Sequence, residues 1–236
     1  MRALALAVLA LPAATSAPAL AQAYQCAPPA QLAPYSPPRQ DGPTRRVAIA
    51  SYTLAVSWSP EFCKRARGAA AQYQCDGSVG RFGFILHGLW PEARTGPYPQ
   101  WCSLTPRPSP RVLRENLCMT PSPALLEHEW AKHGSCMARR PESYFRAARS
   151  LWQSLRWPDA DRLSRKEGLT VGDLREAFVL ANPEWQSDQV GVLLSRSGGW
   201  LQELRLCYGR NFMPTRCPRF QYGPPDSASL RIWRGL

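Results

Sequence analysis

All three histidines of this 236-residue chain lie in two short motifs. The first motif, residues 85–91, contains His87, and the second, residues 127–134, contains His128 and His133. Imidazole is the side chain whose ordinary pKa allows it both to donate and to accept a proton near neutral pH. Histidines confined to two motifs, and found nowhere else, favour an acid–base catalytic site over filler on the surface or in the core.

The second motif places four polar side chains on one face if it is helical. At roughly 100° per residue from His128, Lys132 is expected at about 40° and Glu129 at about 100°. His133 follows at about 140°, so that imidazole, carboxylate and ammonium share one arc. A merely solvated helix face would not place two histidines around a tryptophan. Because Glu129 and His133 are i,i+4 neighbours, we expect the carboxylate to orient that imidazole and to raise its pKa.

This set of groups is suited to phosphodiester transfer if His87 faces the arc. A neutral imidazole can accept the proton of an attacking hydroxyl, while a charged imidazole on the opposite side donates to the leaving oxygen. A cation and further donors must then hold the extra charge of the phosphorane. Lys132 and His128 are available to hold this charge, and Glu129 can adjust their pKa values.

The elements that position the motifs indicate an α+β fold, a central antiparallel sheet with helices packed on it. Residues 46–58 are apolar and β-prone, as is typical of a buried central strand. Residues 82–87 form a second predicted strand that Gly88 and Pro91 end, so that His87 lies at the mouth of the strand. Further strands are predicted over residues 189–194 and 200–207, around a turn at residues 197–199.

The second motif is preceded by a helix start signal. Ser122 offers a hydroxyl N-cap and Pro123 the first helical position, and Gly134 is predicted to end the helix after His133. The other predicted elements are a helix over residues 141–155, a helix over residues 170–182 capped by Thr170, and loops over residues 92–121.

Residues 1–23 have the pattern of an export signal. Arg2 precedes an apolar run over residues 3–11, and small residues allow cleavage after Ala21 or Ala23. The run is too short to span a bilayer, and no later segment is long enough. We therefore expect an exported protein, periplasmic or secreted, that does not contact a membrane.

The remainder is predicted to form a Pro-rich arm over residues 24–45 and a single domain over residues 46–236. The chain carries 29 basic and 17 acidic residues, a net charge of +12, and loss of Arg2 with the signal leaves +11. Such a charge predicts attraction to polyanions, whether nucleic acid, acidic polysaccharide or anionic membrane.

Eight cysteines in an exported chain fit four disulfides. The alternative is zinc ligation, but the chain has no Cys-x₂-Cys pair to support it. A Cys63–Cys75 bridge could close the polar connection over residues 63–80.

Residues 85–91 (ILHGLWP) and 128–136 (HEWAKHGSC) resemble, in this order, the two active-site segments of the ribonuclease T2 family. Weaker similarity extends from Tyr52 to Cys217. The resemblance implies a T2-type fold and a metal-independent endoribonuclease acting on single-stranded RNA. The 2′-hydroxyl would attack the neighbouring phosphate, and the 2′,3′-cyclic product would then be hydrolysed slowly to a 3′-phosphate.

The resemblance also implies a role for each residue of the catalytic set. His133 would be the general base and His87 the general acid. His128 would bind phosphate, while Glu129 and Lys132 would stabilise the transition state.

Three further positions resemble the base-binding site of the family. Trp90 would stack on an unpaired base, and Glu92 and Tyr98 stand where family members carry a carboxylate and a second ring. The family usually has aspartate at the Glu92 position, which leaves base preference open. Family patterns also suggest the disulfides Cys102–Cys136 and Cys207–Cys217. Cys63–Cys75 would be a short local closure, and Cys26–Cys118 follows only by elimination.

Two other functions compete with this interpretation. A zinc hydrolase built on His128 would need its second histidine at i+4, whereas His133 is at i+5 and Lys132 would place a positive charge beside the metal. A non-enzymatic RNA-binding protein would be free to lose members of the catalytic set, yet the set is complete. We therefore expect a monomer that binds single-stranded RNA and uses no metal or cofactor.

Overall fold

The structure is a computed structural model that describes residues 23–68 and 71–235. Except for its last residue, the predicted signal peptide lies outside the described residues. Within those two ranges, no helix has the length and apolar character needed to cross a membrane.

The strands build a four-stranded antiparallel sheet and a separate two-stranded ribbon. The strands are β1 Ala23–Tyr24, β2 Ile49–Trp58, β3 Arg81–Phe82, β4 Phe84–Ala93, β5 Val190–Leu194 and β6 Leu201–Gly209. The sheet has the order β4-β2-β6-β5, and β1 pairs with β3. The two inner strands carry fully buried side chains, among them Leu54, Val56, Leu204 and Leu206. Their burial between neighbouring elements explains why β2 is almost continuously apolar, as the sequence predicted.

Helices pack on this sheet and confirm the α+β class. Within the described residues the α-helices are α1 Ser59–Cys63, α2 Pro110–Asn116, α3 Pro123–Glu129, α4 Ser135–Met137, α5 Pro141–Ser154, α6 Ala160–Leu163, α7 Val171–Ala181 and α8 Arg219–Tyr222, and a short 3₁₀ helix, Ser187–Gln189, precedes β5. A π-helical turn, Trp130–Gly134, joins α3 to α4. The predicted caps are present: Ser122 Oγ accepts from the Leu125 N–H, and Thr170 forms a capping box with Asp173.

The prediction that Gly134 ends the helix of the second motif is wrong. The chain continues through the π-helical turn into α4, and Gly134 has ordinary helical angles, φ −62° and ψ −36°. Glycine is needed there for space instead. A Cβ would lie 2.7 Å from Trp130 Cε3 and 2.7 Å from Tyr144 Cγ, closer than atoms can pack.

Two other boundaries also differ from prediction. β4 does not stop at Gly88 but continues through Pro91 to Ala93, because β4 is an edge strand and there a proline need not donate to a neighbour. The predicted loop over residues 92–121 contains α2, which starts at the Ser109 N-cap with proline in its first turn. Short helices of this kind lack the repeated apolar spacing that reveals longer ones.

The Pro-rich arm is fastened along its length to the domain. The Ala27 N–H donates to the Val79 carbonyl over 2.8 Å, the Ala33 N–H donates to the Tyr73 hydroxyl over 2.7 Å, and Arg45 forms a bridge with Gln100. The disulfides of the structure are Cys26–Cys118, Cys63–Cys75, Cys102–Cys136 and Cys207–Cys217. The first of them ties the start of the arm to the segment after α2.

Candidate active site

A β-bulge places His87. In the β2–β4 ladder Ala55 pairs with Gly88 and Val56 with Leu86, so His87 has no partner on β2. An extra residue of this kind kinks the strand and turns its side chain in a new direction, and such bulges are frequent beside active sites. His87 is one-third exposed, between neighbours that are buried.

His87 is held by a carboxylate that the sequence analysis did not identify. Its Nδ1 lies 2.8 Å from Glu203 Oε2, and the Ser57 hydroxyl lies 3.5 Å from the same nitrogen. Glu203 stands opposite Ser57 in the β2–β6 ladder and also accepts a hydrogen bond from Arg205 over 3.0 Å. The sequence did offer a signal for this carboxylate, because Glu203 and Arg205 are charged residues at alternate positions of a buried strand.

The charge on His87 is favoured by this arrangement. Burial alone would lower the pKa of His87, but the hydrogen bond that His87 donates to Glu203 and the negative charges of Glu129 and Glu203 outweigh it. The pKa of His87 is therefore raised above its ordinary 6.5. His87 Nε2 lies 3.6 Å from Glu129 Oε1, so the second motif does face this imidazole.

Glu129 is buried at the junction of the two motifs. Its Oε2 accepts a hydrogen bond from Trp90 Nε1 over 2.7 Å, and burial raises its pKa to about 7. The glycine of the first motif makes room for this carboxylate, because a Cβ on Gly88 would collide with Glu129 Oε2. The close approach of the two motifs thus depends on Gly88.

His133 lies in an aromatic pocket. Its ring centroid is 5.5 Å from that of Trp90 and 5.6 Å from that of Tyr98. Its side chain is buried, and among the described residues Nδ1 has no hydrogen-bond partner. Burial, followed by the positive charges of Lys132, His128 and His87, lowers the pKa of His133 well below 6.5.

The expectation that Glu129 raises the pKa of His133 is wrong. That expectation assumed regular α-helical i,i+4 geometry, whereas the segment from Trp130 to Gly134 is a π-helical turn. Within this geometry the Glu129 carboxylate contacts Trp90 and His87.

Lys132 and His128 face the Pro-rich arm. Lys132 Nζ lies 2.8 Å from Asp41 Oδ2, and Asp41 Oδ1 accepts a hydrogen bond from Trp101 Nε1 over 2.9 Å. The edge-on ring of His128 packs against Trp101 with centroids 5.4 Å apart. Burial and the charge of Lys132 lower the pKa of His128. Asp41 is a second site residue that the sequence analysis missed, in an arm predicted to lie outside the domain.

The predicted base-binding residues divide into two groups. The rings of Trp90 and Tyr98 both lie next to the ring of His133. Glu92 is turned to the adjacent strand, where it accepts hydrogen bonds from Thr53 Oγ1 over 2.9 Å and from Gln221 Nε2 over 2.7 Å. Burial raises the pKa of Glu92, so it is easier to protonate than an ordinary glutamate.

The structure thus brings together two imidazoles with opposite pKa shifts, a lysine, a buried carboxyl group and two aromatic rings. The Trp90 ring lies next to both imidazoles, with its centroid 5.1 Å from His87 and 5.5 Å from His133. In the parts of the chain that the structure describes, no cluster of three or more His, Cys, Asp or Glu side chains is arranged to hold a metal ion. The arrangement is suited to proton transfer by one neutral and one charged imidazole.

Comparison with known proteins points in the same direction. The sequence profile of the ribonuclease T2 family matches residues 49–170. A probable ribonuclease of Haemophilus influenzae is 36% identical over 188 residues, which cover 75% of this chain and 64% of that protein. A ribonuclease of Aeromonas hydrophila is 39% identical over 113 residues, 48% of each chain. The matches therefore span less than two thirds of the length of either relative.

Solved structures of low sequence identity share the fold. Trichomaglin, an S-like ribonuclease, has a TM-score of 0.59 and 22% identity, with 78% of this chain and 98% of that chain covered. RNase NT, solved in complex with 5′-AMP, also has a TM-score of 0.59, with 20% identity and 79% and 98% of the two chains covered. Together with the four disulfides, these similarities identify the architecture as the one the sequence motifs predicted.

Proposed function

The chain belongs to the ribonuclease T2 family, and we propose that it is a metal-independent endoribonuclease that cleaves single-stranded RNA. The 2′-hydroxyl attacks the adjacent phosphate, which gives a 2′,3′-cyclic phosphate and then, by hydrolysis, a 3′-phosphate. One observation supports this most strongly: two imidazoles beside the same tryptophan have pKa values shifted in opposite directions. Such a divergence assigns one group as acid and the other as base.

The directions of the two pKa shifts support the roles proposed for the two imidazoles. His133, with its lowered pKa, is neutral at neutral pH and accepts the proton of the 2′-hydroxyl. His87, with its raised pKa, retains a proton that it donates to the departing 5′-oxygen. In the hydrolysis of the cyclic product the roles are exchanged, because His87 is then the free base that activates water.

The charge of the phosphorane is held by the second motif. Lys132 supplies an ammonium, and His128 supplies a further hydrogen-bond donor. The raised pKa of Glu129, about 7, keeps a fraction of this carboxyl protonated at neutral pH, so that it too can donate. An incoming phosphate competes with Asp41 for Lys132, because both are anions directed at the same ammonium.

Trp90 and Tyr98 are proposed to stack on the base next to the scissile phosphate, and Glu92 to take part in its recognition. Only an unpaired base exposes its faces to aromatic side chains. We further propose that residues 1–23 direct export and that the protein acts as a monomer in the periplasm or outside the cell. The four disulfides support an oxidising compartment.

The proposal is tested by incubating the purified protein with single-stranded RNA in excess chelator and identifying the new termini. We expect undiminished cleavage and 2′,3′-cyclic phosphate ends that convert slowly to 3′-phosphates. Loss of activity in chelator, restored by a divalent cation, would contradict the proposal, as would 5′-phosphate ends.

The pH dependence of kcat/KM should be bell-shaped. Activity rises as His133 loses its proton, so the acidic limb should lie well below pH 6.5. Activity falls as His87 loses its proton, so the alkaline limb should lie above pH 6.5. The limbs belong to coupled imidazoles and are macroscopic values. A rate that rises continuously into alkaline pH in a dinucleotide assay would contradict these roles.

Glu203→Gln should move one limb only. Glutamine keeps a hydrogen-bonding group beside His87 Nδ1 but removes the negative charge that favours imidazolium. The alkaline limb should therefore shift to lower pH, while the acidic limb stays in place. Glu115→Gln, which removes a carboxylate from an exposed ion pair with Arg111, is the matched control. An unmoved alkaline limb would show that Glu203 does not position the charge of His87.

A further inference from the structure

A cleft of about 780 Å³ lies outside the catalytic site, between the start of β6 and the C-terminal segment of the chain. Two tryptophans, Trp200 and Trp233, line it together with Lys166, Arg231 and Arg234. Asp161 is the one carboxylate among the residues that line this cleft in the described part of the chain. The cleft therefore combines aromatic rings with an excess of positive charge.

The cations are held over the indole rings. Lys64 Nζ lies 3.8 Å from the Trp200 ring centroid and 4.7 Å from that of Trp233. Arg231 Cζ lies 4.1 Å from the Trp200 centroid, and no described carboxylate pairs with Arg231. Arg234 contacts Asp161 only loosely, with 3.6 Å between nitrogen and oxygen, and remains half exposed. Two guanidinium groups are thus available to an anion.

Backbone hydrogen bonds fix the walls of the cleft. Trp200 and Arg231 form a parallel β-bridge, in which the Leu201 N–H donates to the Arg231 carbonyl over 2.7 Å. Trp58 Nε1 donates to the Trp233 carbonyl over 2.5 Å. A site that is already ordered binds without the entropic cost of assembling its side-chain supports.

Two elements connect the cleft to the catalytic site. Trp200 lies immediately before β6 and precedes Glu203 by three residues, which corresponds to about 10 Å of extended chain. Glu203 in turn hydrogen-bonds His87. At α1, Phe62 lines a groove next to His87, while Lys64, two residues later, covers the tryptophans. One oligonucleotide can therefore extend from the catalytic site to the cleft.

We propose that this cleft is a second binding site for the RNA strand, which it holds at nucleotides beyond the scissile bond. Arg231 and Arg234 contact backbone phosphates, and Trp233 offers an aromatic surface to a base. Basic grooves with aromatic side chains bind single strands in this way without base specificity. The inference rests on the proposed function, since the strand bound here is its substrate.

The test compares long and short substrates. In Arg231→Gln/Arg234→Gln, charge is lost but side-chain volume is largely kept, so the fold should survive, as a melting temperature will check. We expect the ratio of kcat/KM on a single-stranded RNA 20-mer to that on the dinucleotide CpA to fall about tenfold. The matched control is Arg139→Gln/Arg146→Gln, which removes two exposed arginines away from the cleft and should retain the wild-type ratio.

A binding measurement separates this proposal from the proposed function. Fluorescence anisotropy with a single-stranded DNA 20-mer needs no cleavage, and the cleft variant should raise Kd about tenfold. The slope of log K against log salt should decrease in magnitude by about 1.4 for two lost phosphate contacts. An effect no larger than that of the control variant would overturn the second site, even if RNA is cleaved. Conversely, a wild-type protein that cleaves no RNA would refute the proposed function, while the Kd values still decide about the cleft.

Discussion

Replacing His133 or His87 by alanine is expected to lower kcat for RNA cleavage by roughly 10²–10⁴. Each replacement removes one partner of the proposed proton transfer. His133 is the proposed base that accepts from the 2′-hydroxyl, and His87 is the proposed acid that protonates the leaving oxygen. The only remaining imidazole outside the pair is His128, whose pKa is lowered by burial and by Lys132. It packs edge-on against Trp101, and its proposed role is to donate a hydrogen bond to the phosphorane.

The measurement is single-turnover cleavage of a fluorescent RNA, with binding followed separately on an uncleavable deoxy strand. Lys132→Ala should also lose rate, since the positive charge beside the phosphorane is gone, but it should retain more activity than either histidine variant. Wild-type turnover in His87→Ala or His133→Ala would remove that residue from the acid–base pair. Unchanged Kd on the deoxy strand would show that the loss is chemical and not a loss of folding.

The sequence was sufficient to predict the elements whose signals are local. The Ser122 cap, the capping box of Thr170 and the apolar run of β2 depend on neighbouring residues, and the structure contains each of them. The proposed chemistry also required that His87 meet the second motif, and His87 Nε2 lies 3.6 Å from Glu129 Oε1. The expectation that His87 meets the second motif came from the chemistry of the two motifs, because their spacing along the chain does not fix a distance in space.

Features that depend on distant segments could not be predicted in this way. Glu203 reaches His87 because β6 pairs with β2, a neighbour relation that no local pattern encodes. Asp41 reaches Lys132 because the Pro-rich arm is fastened back onto the domain by a disulfide and backbone hydrogen bonds. In both cases a single carboxylate acquires its role only through tertiary structure.

The direction of the pKa shift of His133 also depends on tertiary structure and could not be predicted from the sequence. Sequence spacing indicated a neighbouring carboxylate and hence a raised pKa. In the structure the π-helical turn changes the geometry and burial dominates, so the pKa is lowered. A base with a low pKa is neutral over a wider pH range, so the lowered pKa of His133 supports the proposal that it accepts the proton.

The largest difference in cleavage rate between substrates should come from a single oxygen atom, that of the 2′-hydroxyl. A DNA strand is expected to bind, because its phosphates and bases interact with the same cations and rings, but it should not be cleaved, since it lacks the hydroxyl that His133 deprotonates. Insertion of one ribonucleotide into that DNA strand should restore cleavage, and only at the phosphate on its 3′ side.

The all-DNA strand of the same sequence is the matched control and should inhibit cleavage of RNA competitively. Annealing a complementary strand to the chimera should suppress cleavage, because a paired base cannot present its face to Trp90. The products are read on a denaturing gel, where a single band at the ribonucleotide is the expected outcome. Cleavage of the all-DNA strand at a comparable rate, or cleavage of the chimera at other positions, would eliminate attack by the 2′-hydroxyl. The roles of His133 as base and His87 as acid in that attack would then have to be abandoned, although the fold and the two motifs would stand.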